Sequence, residues 1–210
     1  MQYAKLPRRQ AGFTLIEIAI VLVIIGLLLG GILRGQELIN SARVKNLAAD
    51  FRNVPVYLYG YQDRFRALPG DDSAAQTNLN TSATPGDGNG VIGGNWDDTG
   101  STETRLFWQH VRLAGLAPGP TDLAVANFQH RNASGGPLGI QSTAPFTGLT
   151  GTYFVCSGAI LGRHAKQLDT QLDNGDTVTG SVMVGTATGG AATATARIVD
   201  ATTYIVCMGI

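Results

Sequence analysis

Phe13 to Leu33 is an apolar run of 21 residues that carries a single charge, Glu17. A helix rises about 1.5 Å per residue, so the run spans roughly 30 Å, about one bilayer core. Lys5, Arg8 and Arg9 precede it, and no basic residue follows until Arg34. That asymmetry favours a cytoplasmic start and a translocated remainder. An ordinary secretory signal places its cleavage site after the apolar core. Here the candidate cut, after Gly12, lies before the core, so the hydrophobic segment would stay on the mature chain. The plainer alternative is a single-pass anchor with an uncleaved leader.

An acid inside a membrane helix costs roughly 2.5–3.5 kcal/mol on insertion scales, so it normally has a partner or a task. Cleavage after Gly12 would leave a charged amine on Phe13, within reach of Glu17 on the same chain or on a neighbour. The alternative is a Glu17 that sits near the membrane surface and stays solvated. Gly12, Phe13, Thr14, Leu15, Ile16 and Glu17 match, position by position, the N-terminal signature of type IV pilins and of the type II secretion pseudopilins. The first thirty or so residues resemble that family. The resemblance implies cutting by a prepilin peptidase between Gly12 and Phe13 and methylation of the new amine. It also implies that Glu17 of an incoming subunit pairs with the Phe13 amine of one already assembled. It further implies an inner-membrane platform and an assembly ATPase as partners, with the membrane holding the chain before assembly.

Gly26, Gly30, Gly31 and Gly35 add two small-xxx-small pairs, the spacing that lets membrane helices approach closely. Each glycine also weakens a helix by about 1 kcal/mol relative to alanine. Many pilins have a proline near position 34 that helps this stretch unwind in the filament. Arg34 stands here instead, so unwinding would rest on glycine alone.

The helical pattern continues past the membrane run. Val44, Leu47, Phe51, Val54, Leu58, Tyr61 and Phe65 recur at three- and four-residue steps, one apolar stripe of period near 3.6. Pro55 removes one hydrogen bond and is expected to kink or loosen the helix, and Pro69-Gly70 is expected to end it. Residues 70–100 read as a long polar loop, followed by a short helix over Ser101–Ala114. Strand-like runs lie near 152–156, 177–184, 194–199 and 202–207, with a helix from Arg163 to Leu172 between them. The low-complexity stretch Gly185–Ala196 reads as a hairpin tip. The expected fold is α+β, a pilin-like lollipop with a long N-terminal helix packed on an antiparallel head. Its parts are a leader (1–12), a hydrophobic membrane and polymerisation helix (13–34), the helix half packed in the head (35–68) and the head itself (69–210).

Charge excludes a bulk nucleic-acid binder. The whole chain balances 15 basic against 15 acidic residues, and the leader holds Lys5, Arg8 and Arg9 with no acid. The remainder is therefore slightly acidic, and no local cluster of Lys and Arg gives a nucleic-acid signal. Cys156 and Cys207 both fall in the translocated half, where a disulfide forms readily. Two buried thiols are the alternative, and the resemblance favours the bridge.

Asp87-Gly88-Asn89-Gly90, with Asp97 and Asp98 nearby, fits the start of a loop that offers oxygens to Ca2+. It lacks the later acid of a full EF-hand, and a solvated acidic turn is the other reading. His110, His130 and His164 show neither metal spacing nor a nucleophile partner, and read as structural. No phosphate loop, nucleophile elbow or zinc pattern is present in the sequence. The expected function is therefore a structural subunit of a type IV pilus-like filament rather than an enzyme. The alternative is a minor pilin or pseudopilin whose head binds cargo, a surface or DNA. The chain would start as an inner-membrane precursor and end in an extracellular filament or periplasmic pseudopilus.

Overall fold

The computed structural model describes residues 14–188 and 191–210, with the backbone alone for 187, 188 and 191–193. Its elements are α1 (Leu15–Phe65), α2 (Ala75–Asn78), α3 (Glu103–Leu113), β1 (Leu138–Gln141), β2 (Phe154–Leu161), α4 (Gly162–Leu172), β3 (Val182–Thr188), β4 (Ala191–Ala194) and β5 (Thr203–Gly209). The chain divides into two units, one ending at Ser41 and a head from Ala42 to Ile210. In the first unit the large apolar side chains from Leu15 to Leu33 are exposed. Among the described residues, α1 is the one helix long and apolar enough to cross a membrane.

In the head, the expected stripe is the buried face of α1: Val44, Leu47, Phe51, Val54, Leu58 and Tyr61 all lie in the main core. Phe65 packs at its edge. Pro55 does not end α1, because the bond it removes is one rung among many. The helix stops at Phe65, four residues before Pro69, where Arg66 turns to a φ of 55°.

The sheet has the order β1-β2-β5-β3-β4 and is antiparallel throughout. Side chains alternate across it, as the period of two requires. Val155, Ile160, Val182, Val184 and Val206 face α1 and α3 in the main core. Phe154, Cys156, Met183 and Cys207 form a second core on the other face with Trp96, Phe146 and Leu149. The sheet is thus apolar on both faces, and the irregular segments carrying Trp96, Phe146 and Leu149 cover the second one. The fold class is the expected α+β arrangement of a long N-terminal helix and an antiparallel sheet.

Some elements sit elsewhere than the sequence suggests. β1 lies between the expected helix over 101–114 and the first expected strand-like run near 152, where the sequence suggests no strand because Leu-Gly-Ile-Gln is short and contains a glycine. Gly139 is needed there, since a Cβ would collide with the Trp96 carbonyl. β3 and β4 extend through the Thr/Ala/Gly-rich stretch that reads as a hairpin tip, pairing Gly185 with Ala194. Such residues differ too little in polarity to show a period of two. The tip itself, residues 189 and 190, lies outside the described residues. In β2 the register shifts between Ser157 and Ile160, and exposed Ala159 takes a φ of 56° at that bulge.

Candidate assembly segment and acidic loop

Thr14 and Glu17 close the start of α1 on each other. The Thr14 N–H donates to Glu17 Oε2 at 2.8 Å and the Thr14 hydroxyl to the same oxygen at 2.6 Å. In return the Glu17 N–H reaches the Thr14 hydroxyl at 3.3 Å. This is a capping box, which satisfies donors that the first helical turn leaves unpaired. The Thr-x-x-Glu spacing of Thr14 and Glu17 is the sequence signature of this cap. Gly12 and Phe13 lie outside the described residues, so the proposed amine is not placed.

Among the described residues, apart from the neighbouring backbone of α1 itself, nothing lies within 4 Å of where a Cβ would stand at Gly26, Gly30, Gly31 or Gly35. No contact among the described residues of one chain therefore requires glycine at these positions. A close neighbour outside the chain would.

The acidic loop is drawn together by carboxylates from three parts of the sequence. Asp71, Asp87 and Glu103 each bring an oxygen to within 4.8 Å of the others. Buried Asp71 accepts the N–H groups of Asn89 at 2.9 Å and Gly90 at 2.8 Å. Asp87 accepts the Asn89 N–H at 3.0 Å and its side-chain amide at 2.8 Å. Glu103, at the start of α3, accepts the N–H groups of Asp87 at 3.1 Å and Gly93 at 2.8 Å. The arrangement fixes the loop by supplying acceptors to its backbone, and it leaves three negative groups side by side. Of the residues expected to gather here, Asp87 and Asn89 do. Asp97 and Asp98 fall outside the carboxylate set, and Asp98 instead accepts the Asn95 N–H at 2.9 Å. Asp71 and Glu103 are each 16 residues from Asp87, too far along the chain for local spacing to reveal them.

Asp72 anchors the other side of this loop. It accepts the Tyr61 hydroxyl at 2.7 Å, the Asn78 amide at 2.8 Å and the Ala74 N–H at 2.9 Å. Burial and the Asp72 bond hold the Tyr61 hydroxyl protonated. The histidines are packed, not clustered. His130 stacks on Trp108 at 4.2 Å, and burial, aided by Arg112, pushes it down to about 4. His164 is buried on α4, and burial lowers it also. Cys156 and Cys207 stand opposite each other on β2 and β5 and are joined by a disulfide inside the second core.

The N-terminal geometry now has a name. A family profile described as the prokaryotic N-terminal methylation motif matches residues 7–33. This is a pilin-type N-terminus. The match spans Arg8 and Arg9 of the leader, Gly12-Phe13, the capping box and the exposed apolar stretch to Leu33. Such a segment belongs to a membrane-anchored precursor that a prepilin peptidase processes and that assembles with pilin subunits. No curated protein matches the chain.

Proposed function

We propose that this chain is a structural subunit of a type IV pilus-like filament. A prepilin peptidase cuts after Gly12, and the subunit polymerises through its N-terminal helix. The observation that carries this reading is the exposed apolar face of Leu15–Leu33 with Glu17 as its one acid. In the membrane that face is covered by lipid, and in the filament by the same face of other copies. The capping box supplies Glu17 with local donors while the subunit is stored. On assembly, the Phe13 amine of a neighbour pairs with the carboxylate and sets the register. The platform and assembly ATPase drive extraction, the head is displayed outward, and the chain catalyses no reaction. Within the acidic loop we place Ca2+ at Asp71, Asp87 and Glu103, where it would offset three adjacent negative charges.

Glu17→Ala and Glu17→Leu test the proposal. Both are expected to insert into the membrane and to be cut normally, yet to yield few or no filaments sheared from the cell surface. Normal filaments from both variants would sink the pairing mechanism. Mass spectrometry of wild-type filaments is expected to find the N-terminal peptide beginning at methylated Phe13.

A further inference from the structure

His110 of α3 uses both ring nitrogens to hold backbone. Nδ1 accepts the Gly70 N–H at 2.9 Å. Nε2 lies 2.8 Å from the Thr84 carbonyl oxygen. An amide N–H donates and a carbonyl accepts, so the ring is neutral with its proton on Nε2. The side chain is fully buried and stacks on Tyr61, with 6.0 Å between ring centres and 18° between planes. Tyr61 in turn donates to Asp72. One imidazole therefore ties α3 to both ends of the segment between Gly70 and Thr84, beside the acidic loop.

The clasp tolerates only one protonation state. A second proton would go on Nδ1, which would then point a donor at the Gly70 N–H. Gly70 has little room to move away. Its φ is 94°, and a Cβ there would collide with the Glu103 carbonyl, so its backbone is pressed against α3. Gly70 precedes Asp71, whose carboxylate holds Asn89 and Gly90. Displacing Gly70 thus disturbs the fastening of the whole loop.

We propose that His110 is an acid-sensitive clasp, which holds the 70–90 loop on α3 when neutral and releases it when protonated. The groups that face the ring are Tyr61 from α1 and Asp72 from the segment after it. Burial holds the imidazole below its usual value. The Thr84 carbonyl and the Asp72 charge act the other way and are weaker. The folded value lies below the usual 6.5, so the opened loop binds the proton more tightly and acid favours opening. One proton linked to opening makes the opening constant rise up to about tenfold per pH unit below about 6.5.

The test is amide hydrogen exchange on the full chain in detergent micelles with EDTA. Exchange is followed from pH 7.5 to 5.0 and corrected for the intrinsic dependence on pH. Protection over residues 69–91 is expected to fall by up to about tenfold per pH unit below about 6.5, while β2 and β5 keep theirs. His110→Asn places an amide oxygen where Nδ1 stood, and its loop protection is expected not to change with pH. On the wild type, 15N shifts of the His110 ring are expected to show the Nε2–H tautomer and to titrate together with loop opening. That readout holds even where the variant fails to fold. Loop protection that stays constant while His110 titrates would overturn the clasp. So would the same acid opening in wild type and variant.

Discussion

Asp169→Asn is expected to stabilise the head at neutral pH, by an amount that depends on pH. Asp169 sits on α4 with no exposed surface, and neither carboxylate oxygen makes a hydrogen bond of good geometry, the Gly175 N–H offering only a weak one. Burial, then Asp173 and Asp176, push it from the usual 3.8 up to about 6, against a smaller opposing effect of the Gly175 N–H. No basic residue lies in the last turn of α4, and a helix C-terminus disfavours negative charge. The folded state holds this proton more tightly than the unfolded chain does. The group's penalty is therefore absent below 3.8, grows as pH rises, and is complete above about 6. At about 1.4 kcal/mol per pH unit, the full penalty is on the order of 3 kcal/mol. Asparagine keeps the shape and removes the charge. A gain of about 1–3 kcal/mol is expected at pH 7.5, since the buried amide keeps part of the cost, shrinking to about 0.5 kcal/mol or less at pH 4. Urea unfolding followed by Trp96 and Trp108 fluorescence, wild type against variant at each pH, measures it. A difference that is the same at both pH values, or a variant less stable at pH 7.5, would refute the reasoning.

Two further predictions concern the head. Reducing the Cys156–Cys207 disulfide, which spans 51 residues, is expected to lower stability by about 4 kcal/mol in the chain-entropy account. Urea midpoints with and without reductant measure this, and an unchanged midpoint in fully reduced protein would contradict it. Millimolar Ca2+ is expected to raise the melting midpoint over EDTA in the wild type but not in Asp87→Asn. An equal rise in both would place the ion elsewhere, and no rise would dismiss the site.

The two titrating groups act in opposite directions on one head. Acid opens the His110 clasp, because the opened loop takes up a proton that the clasp refuses. Rising pH penalises Asp169, because the fold must then bury a charge with no cation in the last turn of α4 to pair with it and two acids, Asp173 and Asp176, acting against it. The resulting stability profile has losses on both sides, arising from different elements. Loop exchange reports the first, and the Asp169→Asn comparison reports the second.

Some of this molecule was legible from local pattern alone. The apolar run from Phe13 to Leu33, its lone Glu17 and the preceding Gly12 identify the pilin-type segment, because membrane insertion depends on composition over consecutive residues. The stripe from Val44 to Tyr61 fixes which face of α1 is buried, because a helix repeats every 3.6 residues whatever it packs against. Tertiary structure decided the rest. Asp71, Asp87 and Glu103 meet only because the loop folds back over the start of α3. The second core exists only because segments carrying Trp96, Phe146 and Leu149 cover the far face of the sheet. His110 and Asp169 look alike in sequence, each a polar residue in a short amphipathic helix. One finds two well-placed backbone partners and the other finds none of good geometry, because hydrogen bonding inside a protein depends on which backbone groups the fold delivers to a side chain.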